Sequence, residues 1–453
     1  MRHDTTQPIL FDDLSSKPVT VAFDAPSQSS DGGLPLLAAI DRKLGLTARL
    51  SRELFDSRRS TSVEHDLTEM VRQRVFSIAH GYADCNDAAR IGNDPLFKLA
   101  CGRSPNSATG LASQPTLSRF ERGQGGREII AMGRTLESAV IERLSRRHRR
   151  ARRITIDLDG SVDPTHGQQP FAFFNGYYDS WCYVPLFGFI SIDDLPEQHL
   201  FFARLRPGTG TEGRCVRTLL RRVVPQLRRL FSKARIEVRL DAGFPSSELF
   251  DLLDELKLDY MVAMPKNPKL AGHAEWHMQM VREIQKHVGG TRTLFDECMY
   301  GAQKWPQERR VIFKAEVVAL AGREPRDNLR FVVTNSRDGA KSVWKRYTKR
   351  GDAENRIKEL KCDLQIDRTS STSYFANQMR VLLTAAAFVL FQELRAALAK
   401  TELARATVAT LLVKLLKVGA TVKESWRRIV ISLPASYPWK DLWRRAAIAV
   451  GAS

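Results

Sequence analysis

Three acidic residues in separate parts of the chain could together perform phosphodiester chemistry on a nucleic acid. Asp159 ends a short run of alternating apolar and polar residues, Asp241 follows a second such run, and Glu354 lies in a segment with helical periodicity. Breaking a phosphodiester requires an activated attacking oxygen and a stabilised leaving oxygen, and two Mg²⁺ ions about 4 Å apart supply both. Mg²⁺ prefers carboxylate ligands. The three residues are therefore a candidate catalytic and metal-binding set.

Each of these acidic residues also has an ordinary structural interpretation. Asp241 could simply make a turn, and Glu354 could belong to a solvated helix face. Asp157 and Asp163 compete with Asp159 for the first position. Because Asp157 and Asp159 point to the same side of an ideal strand, alternation does not choose between them. The case for a site depends on the three residues acting together.

Besides Glu354, three reactive side chains fall on one face of the segment that contains it. Tyr347 lies seven residues before the glutamate, Arg350 four residues before it and Lys361 seven residues after it. At about 100° per residue, each lies within roughly 40° of the glutamate around a helix. A neighbouring apolar stripe that could pack on a sheet consists of Ile357, Leu360 and Leu364. The pattern predicts a helix over residues 352–366 with one buried face and one reactive face.

The elements that must position these residues follow the order of an α/β fold. Three predicted strands, a helix, a strand, a helix and a strand succeed one another, which is the order of an RNase H-like core. The predicted strands of this core are residues 154–159, 181–192, 200–205, 236–240 and 260–264. The predicted helices are residues 214–233, interrupted by Pro225, and residues 246–256. The order fits if the β-like run 171–178 belongs to the long first connection.

Composition shifts divide the chain into five predicted parts. Residues 1–33 are polar and indicate a flexible arm, and residues 34–150 indicate a mainly helical N-terminal DNA-binding domain. The catalytic core begins with residues 151–265 and is completed by residues 346–453, which include C-terminal helices. Between these two parts, residues 266–345 indicate a β-rich insertion subdomain. The predicted fold class is thus α/β, with a helical domain before the core and a helical tail after it.

The charge balance favours a polyanionic partner. The chain has 70 Lys and Arg against 51 Asp and Glu, a net charge of +19. Nucleic acid is the first choice, because basic side chains on phosphates release condensed counterions; a ribosome or an anionic membrane surface would favour the same composition. Seven arginines between Arg143 and Arg153 provide a basic face. Residues 113–121 could form a helix-turn-helix, but taken alone the segment slightly favours an ordinary capped helix.

The sequence also predicts a cytoplasmic protein that does not cross a membrane. The six cysteines are scattered without a C-x-x-C pair, as in reduced intracellular proteins. The residues after Met1 lack the apolar stretch of a signal peptide. The longest apolar run, Val381 to Phe391, is too short to span a bilayer and is typical of a buried helix.

Taken together, these residues resemble bacterial insertion-sequence transposases of the DDE type. The spacing Tyr347-x2-Arg350-x3-Glu354-x6-Lys361 matches their Tyr-Arg-Glu-Lys signature. The segments that resemble those bearing the first and second aspartates of that family are Asp157-Leu158-Asp159-Gly160-Ser161 and Leu240-Asp241-Ala242-Gly243-Phe244. Weaker similarities occur at residues 80–87, 166–169 and 175–178. The resemblance covers most of the chain from about residue 35.

The resemblance implies a role for each signature residue. The residues that it implies hold two catalytic Mg²⁺ ions, with Mn²⁺ as a substitute, are Asp159, Asp241 and Glu354. The residues that it implies contact the phosphates of the element's ends are Tyr347, Arg350 and Lys361. Asp159 is preferred to Asp157 because the family's aspartate precedes a small residue and then Ser or Thr. The family also has an RNase H-like core interrupted by a β-rich insertion.

The activity implied by the resemblance is DNA transposition. Water would cut at the insertion-sequence ends, and the freed 3′-hydroxyls would attack target DNA. The implied partners are double-stranded DNA, as terminal inverted repeats and as target, and a second subunit in a homodimeric synaptic complex with a DNA hairpin between the steps. Two alternatives remain: a metal-dependent nuclease without strand transfer, and an inactive DNA-binding regulator. The intact acidic triad argues against the regulator.

Overall fold

The computed structural model describes residues 8–11, 14–59, 61, 63–209 and 212–452. The chain folds as two compact units. The terminal unit consists of the residues up to Gln124 together with those from Ala386 onward, and the central unit is Gly125–Ala385. This division differs from the five predicted parts, because the C-terminal residues belong to the same unit as the N-terminal helices.

The elements are numbered here in chain order. The strands are β1 Ile9–Phe11, β2 Val19–Val21, β3 Gln28–Ser29, β4 Arg153–Gly160, β5 Asp163–Pro164, β6 Phe173–Asn175, β7 Ser180–Tyr183, β8 Leu186–Ile192, β9 Gln198–Arg204, β10 Arg235–Leu240, β11 Asp259–Met264, β12 Arg292–Tyr300, β13 Arg309–Val318, β14 Arg326–Thr334, β15 Ala420–Glu424 and β16 Ile429–Ser432. The helices are α1 Leu34–Leu44, α2 Leu46–Ser51, α3 Leu67–Ala79, α4 Ala88–Ile91, α5 Pro95–Cys101, α6 Gln114–Arg122, α7 Gly126–Arg147, α8 Glu212–Leu230, α9 Ser247–Glu255, α10 Pro268–His273, α11 Glu275–Val288, α12 Ala340–Thr348, α13 Gly351–Cys362, α14 Tyr374–Ala397, α15 Val408–Leu411 and α16 Lys440–Val450.

An eight-stranded sheet in the order β12-β13-β14-β11-β10-β4-β8-β9 forms the middle of the central unit. Strands β4, β10 and β11 are parallel to one another, and the other neighbouring pairs are antiparallel. Parallel neighbours require crossover connections, which here contain α8 and α9. The strands predicted at residues 200–205, 236–240 and 260–264 are present as β9, β10 and β11. The stretch predicted as one strand at residues 181–192 is divided into β7, which lies outside this sheet, and β8. The parallel strands bring their carboxyl ends to one edge of the sheet.

The β-like run at residues 171–178 lies outside this sheet, as the order of elements required. Its strand β6 joins β5 and β7 in a separate three-stranded sheet within the connection between β4 and β8. This small sheet is therefore part of the β4–β8 connection, which starts immediately after β4 ends.

The strands predicted for an insertion subdomain extend the eight-stranded sheet and do not form a sheet of their own. β14 pairs antiparallel with β11, with Val333 opposite Val262, and β13 and β12 follow outward. Both faces of this extension are covered. On one face, Ile312 and Val332 pack with α12, and on the other Val317 and its neighbours pack with α11. Because these strands bury side chains on both faces, they continue the core of the central unit.

The C-terminal part of the chain is less helical than predicted. After α14 and α15 it forms a π-helical turn, Leu412–Leu416, and then a hairpin of β15 and β16. Strand β15 also pairs with β3, so that residues 28 and 29 join a three-stranded sheet. The end of the predicted flexible arm is therefore held within the terminal unit. β-branched residues in β15 and β16, such as Val422, Ile429 and Ile431, favour the hairpin over a helix.

Helix α14 contains the apolar run that the sequence assigned to a buried helix. Within the described chain it is the one helix with the length and composition to cross a membrane, yet 89% of its apolar window is buried. Such burial is typical of a core helix.

Candidate active site

Asp159 and Asp241 lie side by side at the carboxyl ends of two neighbouring parallel strands. The register pairs Leu240 of β10 with Leu158 of β4, and the aspartates are the next residues along each strand. Neighbouring strands are about 4.8 Å apart. One oxygen of Asp241, Oδ1, accepts a hydrogen bond from the Gly243 backbone N–H at 2.9 Å. Asp241 thus makes the turn that its sequence suggested and also stands beside Asp159.

Arg350 links Glu354 to Asp159, because its guanidinium contacts both carboxylates. Arg350 Nη1 lies 3.0 Å from Asp159 Oδ2, and Arg350 Nη2 donates a hydrogen bond of 3.0 Å to Glu354 Oε1. Asp159 is 7% exposed, whereas the Glu354 side chain is 62% exposed. One guanidinium therefore joins a buried carboxylate to one at the surface.

The junction of two consecutive helices places Arg350 between the carboxylates. α12 ends at Thr348 and α13 begins at Gly351, and the two residues between them keep helical backbone angles. Tyr347 and Glu354 consequently belong to different helices, and α13 ends at Cys362, before the predicted end at residue 366. The helix predicted over residues 352–366 thus begins one residue earlier, at Gly351, and Arg350 lies in the turn that precedes it.

Burial and like charge make the ionised form of Asp159 costly. Burial raises the pKa of Asp159 to about 7; the positive charge of Arg350 opposes this rise, and the negative charges of Asp241 and Glu354 add to it. Burial by itself would lower the pKa of Arg350, but the surrounding acidic groups, Asp159 first among them, raise it on balance. The three acidic groups thus share one electrostatic environment and have one buried cation among them.

The hydroxyl of Tyr347 belongs to the same environment. Burial raises the pKa of Tyr347. The charge of Arg350 and a hydrogen bond with it lower this pKa, and the negative charges of Asp241 and Asp159 raise it further. Its ring packs against Trp344, with the ring centroids 6.0 Å apart. Four of the predicted residues therefore gather around Arg350.

Lys361, the last signature residue, lies elsewhere on α13. Its Nζ donates a hydrogen bond of 2.8 Å to the Val162 carbonyl and lies 3.5 Å from Asp367 Oδ2. Nearby, burial raises the pKa of Asp163 to about 8, and a hydrogen bond from Thr369 partly opposes this rise. Lys361 here holds the segment that follows β4. Its expected contact with DNA phosphate stays a prediction.

Asp157, the alternative to Asp159 as the first metal ligand, is buried inside the sheet, where its carboxylate is hydrogen-bonded by side chains of β10 and β9. Arg239 of β10 donates to both of its oxygens, at 2.7 and 2.6 Å, and Gln198 donates a third hydrogen bond at 3.2 Å. The two charged side chains are nearly or completely buried. Arg239 was not among the residues predicted from the sequence, although a charged residue inside an otherwise apolar strand is a signal of a buried pair.

The acidic residues do not form a ready-made metal cage in this arrangement. Across the described parts of the chain, no three His, Cys, Asp or Glu side chains stand close enough together to hold an ion. The Arg350 guanidinium occupies the space between Asp159 and Glu354. Its buried Nη1 contacts Asp159 by charge and lacks a well-aligned hydrogen bond.

Comparison with known proteins identifies the family. No protein of curated function matches the sequence significantly. Residues 11–451 match the family described as "Transposase DDE domain group 1", which is nearly the whole chain. The chain therefore belongs to the DDE transposases, enzymes that act on DNA.

Proposed function

We propose that this enzyme cuts DNA at the ends of an insertion sequence and joins the freed 3′-hydroxyls to target DNA. The observation that carries the proposal is that Asp159 and Glu354 both contact the partly buried guanidinium of Arg350, with Asp241 beside Asp159 at the sheet edge. These residues come from three separate segments, and structural ion pairs rarely require three carboxylates at one cation. Carboxylates that lie close together need positive charge nearby, and divalent ions bound to their oxygens supply it.

We also propose that the central unit is an RNase H-like catalytic core. In its support, β4, β8, β9, α8, β10, α9 and β11 occur in the chain order predicted for that fold. The spatial order β9-β8-β4-β10-β11, with the first three strands antiparallel and the last two parallel to β4, fits as well. In such sheets, sites form beside the carboxyl ends of the parallel strands.

The chemistry of the donor set fits divalent metal. Three carboxylates offer hard oxygen ligands, and a buried carboxylate with a pKa near 7 needs more positive charge than Arg350 gives it. Asp159, Asp241 and Glu354 would hold two Mg²⁺ ions, or Mn²⁺ in their place. When bound, such ions activate an attacking oxygen and stabilise a leaving oxygen.

In the proposed reaction, the side chains of the chain bind and align the DNA. Water attacks the scissile phosphorus, the bond to the 3′-oxygen breaks, and a 3′-hydroxyl and a 5′-phosphate result. That hydroxyl then attacks a target phosphorus and displaces a second 3′-oxygen, so that the number of phosphodiesters is conserved. Arg350, once released from the carboxylates, is placed to bind a phosphate through its planar pair of N–H groups, and Tyr347 can donate its hydroxyl beside it.

The wider assignments are part of the same proposal. The substrates are terminal inverted repeats and target duplex, held by a homodimer in the cytoplasm of a bacterium. The high positive charge of the chain, +19, suits two long DNA segments.

The test replaces Glu354 by Gln, which keeps the size of the side chain and removes its charge. We expect Glu354→Gln to bind end DNA normally and to lose strand cleavage, by about 10³-fold or more if an essential metal ligand is gone. The matched control is Asp352→Asn, because Asp352 is an exposed acid on the same helix. Cleavage by Glu354→Gln at the wild-type rate would contradict the assignment. Cleaved ends incubated with a plasmid then separate a transposase, which inserts them, from a nuclease, which does not.

A further inference from the structure

The tip of the β15–β16 hairpin presents an aromatic ring entirely to solvent. Trp426 is 99% exposed, the highest value among the large apolar side chains of the described residues. Arg427 and Arg428, which follow it, are also exposed. A tryptophan in this position gains nothing from packing within its own chain. Its exposure therefore requires an explanation outside the folded monomer.

The hairpin that carries this tip is firmly anchored. Val422 is buried, its N–H donates to the Ser27 carbonyl at 2.9 Å, and β15 pairs with β3. At the C-terminal end of β15, the Glu424 carboxylate accepts hydrogen bonds from Ser104 Oγ and from the Asn106 backbone N–H. Strand β15 is therefore held by β3 and by the segment around Ser104, and the turn residues 425–428 are exposed.

The turn at the tip is closed by a backbone hydrogen bond. The Ser425 N–H donates to the Arg428 carbonyl at 2.9 Å, which leaves Trp426 and Arg427 as the two central residues. Neither central residue has a positive φ, so the backbone of this turn accepts most residue types. The conformation of the turn therefore does not require a tryptophan at its tip.

The charge around the hairpin identifies the partner. Residues 411–450 contain eight basic residues and two acidic ones. Within the described structure, neither Arg427 nor Arg428 forms an ion pair. Two free guanidinium groups beside an exposed ring suit phosphates next to a stacking surface. This is the chemistry of a nucleic acid. A protein or lipid partner would favour a wide apolar patch, and the neighbouring Ile429 and Val430 are each only 38% exposed.

We propose that the β15–β16 hairpin is a DNA-binding arm, in which Arg427 and Arg428 contact phosphates of a duplex and Trp426 stacks on a base step or sugar in its groove. The inference rests on the proposed function, since it gives this transposase a DNA contact in the terminal unit. Proteins that bend DNA insert apolar side chains in a similar way.

The experiment measures binding of the full-length protein to a fluorescent duplex of random sequence over a range of salt concentrations. We expect Trp426→Ala to weaken binding by about 5- to 150-fold without changing the salt dependence, because stacking is not ionic. Trp426→Phe keeps a ring and should recover most of the affinity. The double variant Arg427→Ala, Arg428→Ala should make the negative slope of log K against log salt shallower by about 2, roughly one unit for each phosphate contact.

A matched double variant controls for net charge. Arg52 and Arg405 are exposed in the same unit, and replacing both by Ala should leave the salt slope unchanged. Equal affinity of wild type and Trp426→Ala would overturn the proposal, as would a change in oligomeric state or vesicle binding without a change in DNA binding. Failure of the transposase assignment looks different: the wild type would bind DNA through the hairpin but neither cut nor join ends.

Discussion

Asp159 should cost the folded protein stability at neutral pH, and removing its charge should restore that stability. In the folded chain its pKa is about 7, against an ordinary value of 3.8. The difference of about 3 units corresponds to about 4 kcal/mol. Asn has nearly the shape of Asp and no charge. We therefore expect Asp159→Asn to unfold with a free energy larger by about 4 kcal/mol at pH 8, while it abolishes cleavage.

The effect should depend on pH in a defined direction. Below about pH 3, Asp159 is protonated in both folded and unfolded chains, and the variant has no advantage. As pH rises from 4 to 7, the unfolded chain loses this proton first, so the wild type loses stability by about 1.4 kcal/mol per pH unit relative to the variant. The gap should therefore be about 2 kcal/mol at pH 5 and reach its full size above pH 7.

Urea unfolding of both proteins with a chelator present, at pH 5 and at pH 8, measures this gap. Adding Mg²⁺ at pH 8 should stabilise the wild type and narrow the gap, because an ion that binds only the folded state stabilises it. Asp352→Asn, an exposed change on α13, should alter stability by no more than about 0.5 kcal/mol. The reasoning is refuted if Asp159→Asn is the less stable protein at pH 8, or if the gap is the same at both pH values.

Two further predictions concern the scaffold. Arg239→Ala leaves the fully buried carboxylate of Asp157 without its partner and should destabilise the protein by about 3–5 kcal/mol in urea unfolding; a loss below about 1 kcal/mol would contradict a buried pair. Gly33→Ala should lower the midpoint of thermal unfolding, because a Cβ there would clash with the backbone of Leu415. The control Gly272→Ala meets no atom within 4 Å and lies in a helix, so it should be neutral or stabilising by about 0.5–1 kcal/mol; equal effects of the two changes would argue against the clash.

The sequence predicted the strands and the edge that carries the site, because alternation and turn residues are local signals. Strand β4 ends just after Asp159, and β10 ends just before Asp241, as their patterns indicated. The sequence could not choose between Asp157 and Asp159, which point the same way along one strand. The difference between the two lies across the sheet, where Arg239 of the neighbouring strand β10 bonds Asp157 while Arg350 lies against Asp159.

Contacts between distant segments were harder to predict. Helical spacing placed Arg350 and Lys361 on one face, but their partners lie on the sheet and in the connection after β4. Strands β13 and β14 were predicted as β-rich stretches, whereas β12 was not predicted, and a strand's pattern does not say which sheet it joins. The hairpin of β15 and β16 is short, and its strand pattern was missed among helical neighbours.

The pairing of β3 with β15 has a consequence for synthesis on the ribosome. The terminal unit needs residues from both sides of the central unit. The central unit can fold as soon as its own residues emerge, whereas the terminal unit cannot be completed until the segment after residue 386 has been translated. During that interval the nascent chain holds a folded central unit and an incomplete terminal unit, which is when a chaperone or a protease would find it most accessible.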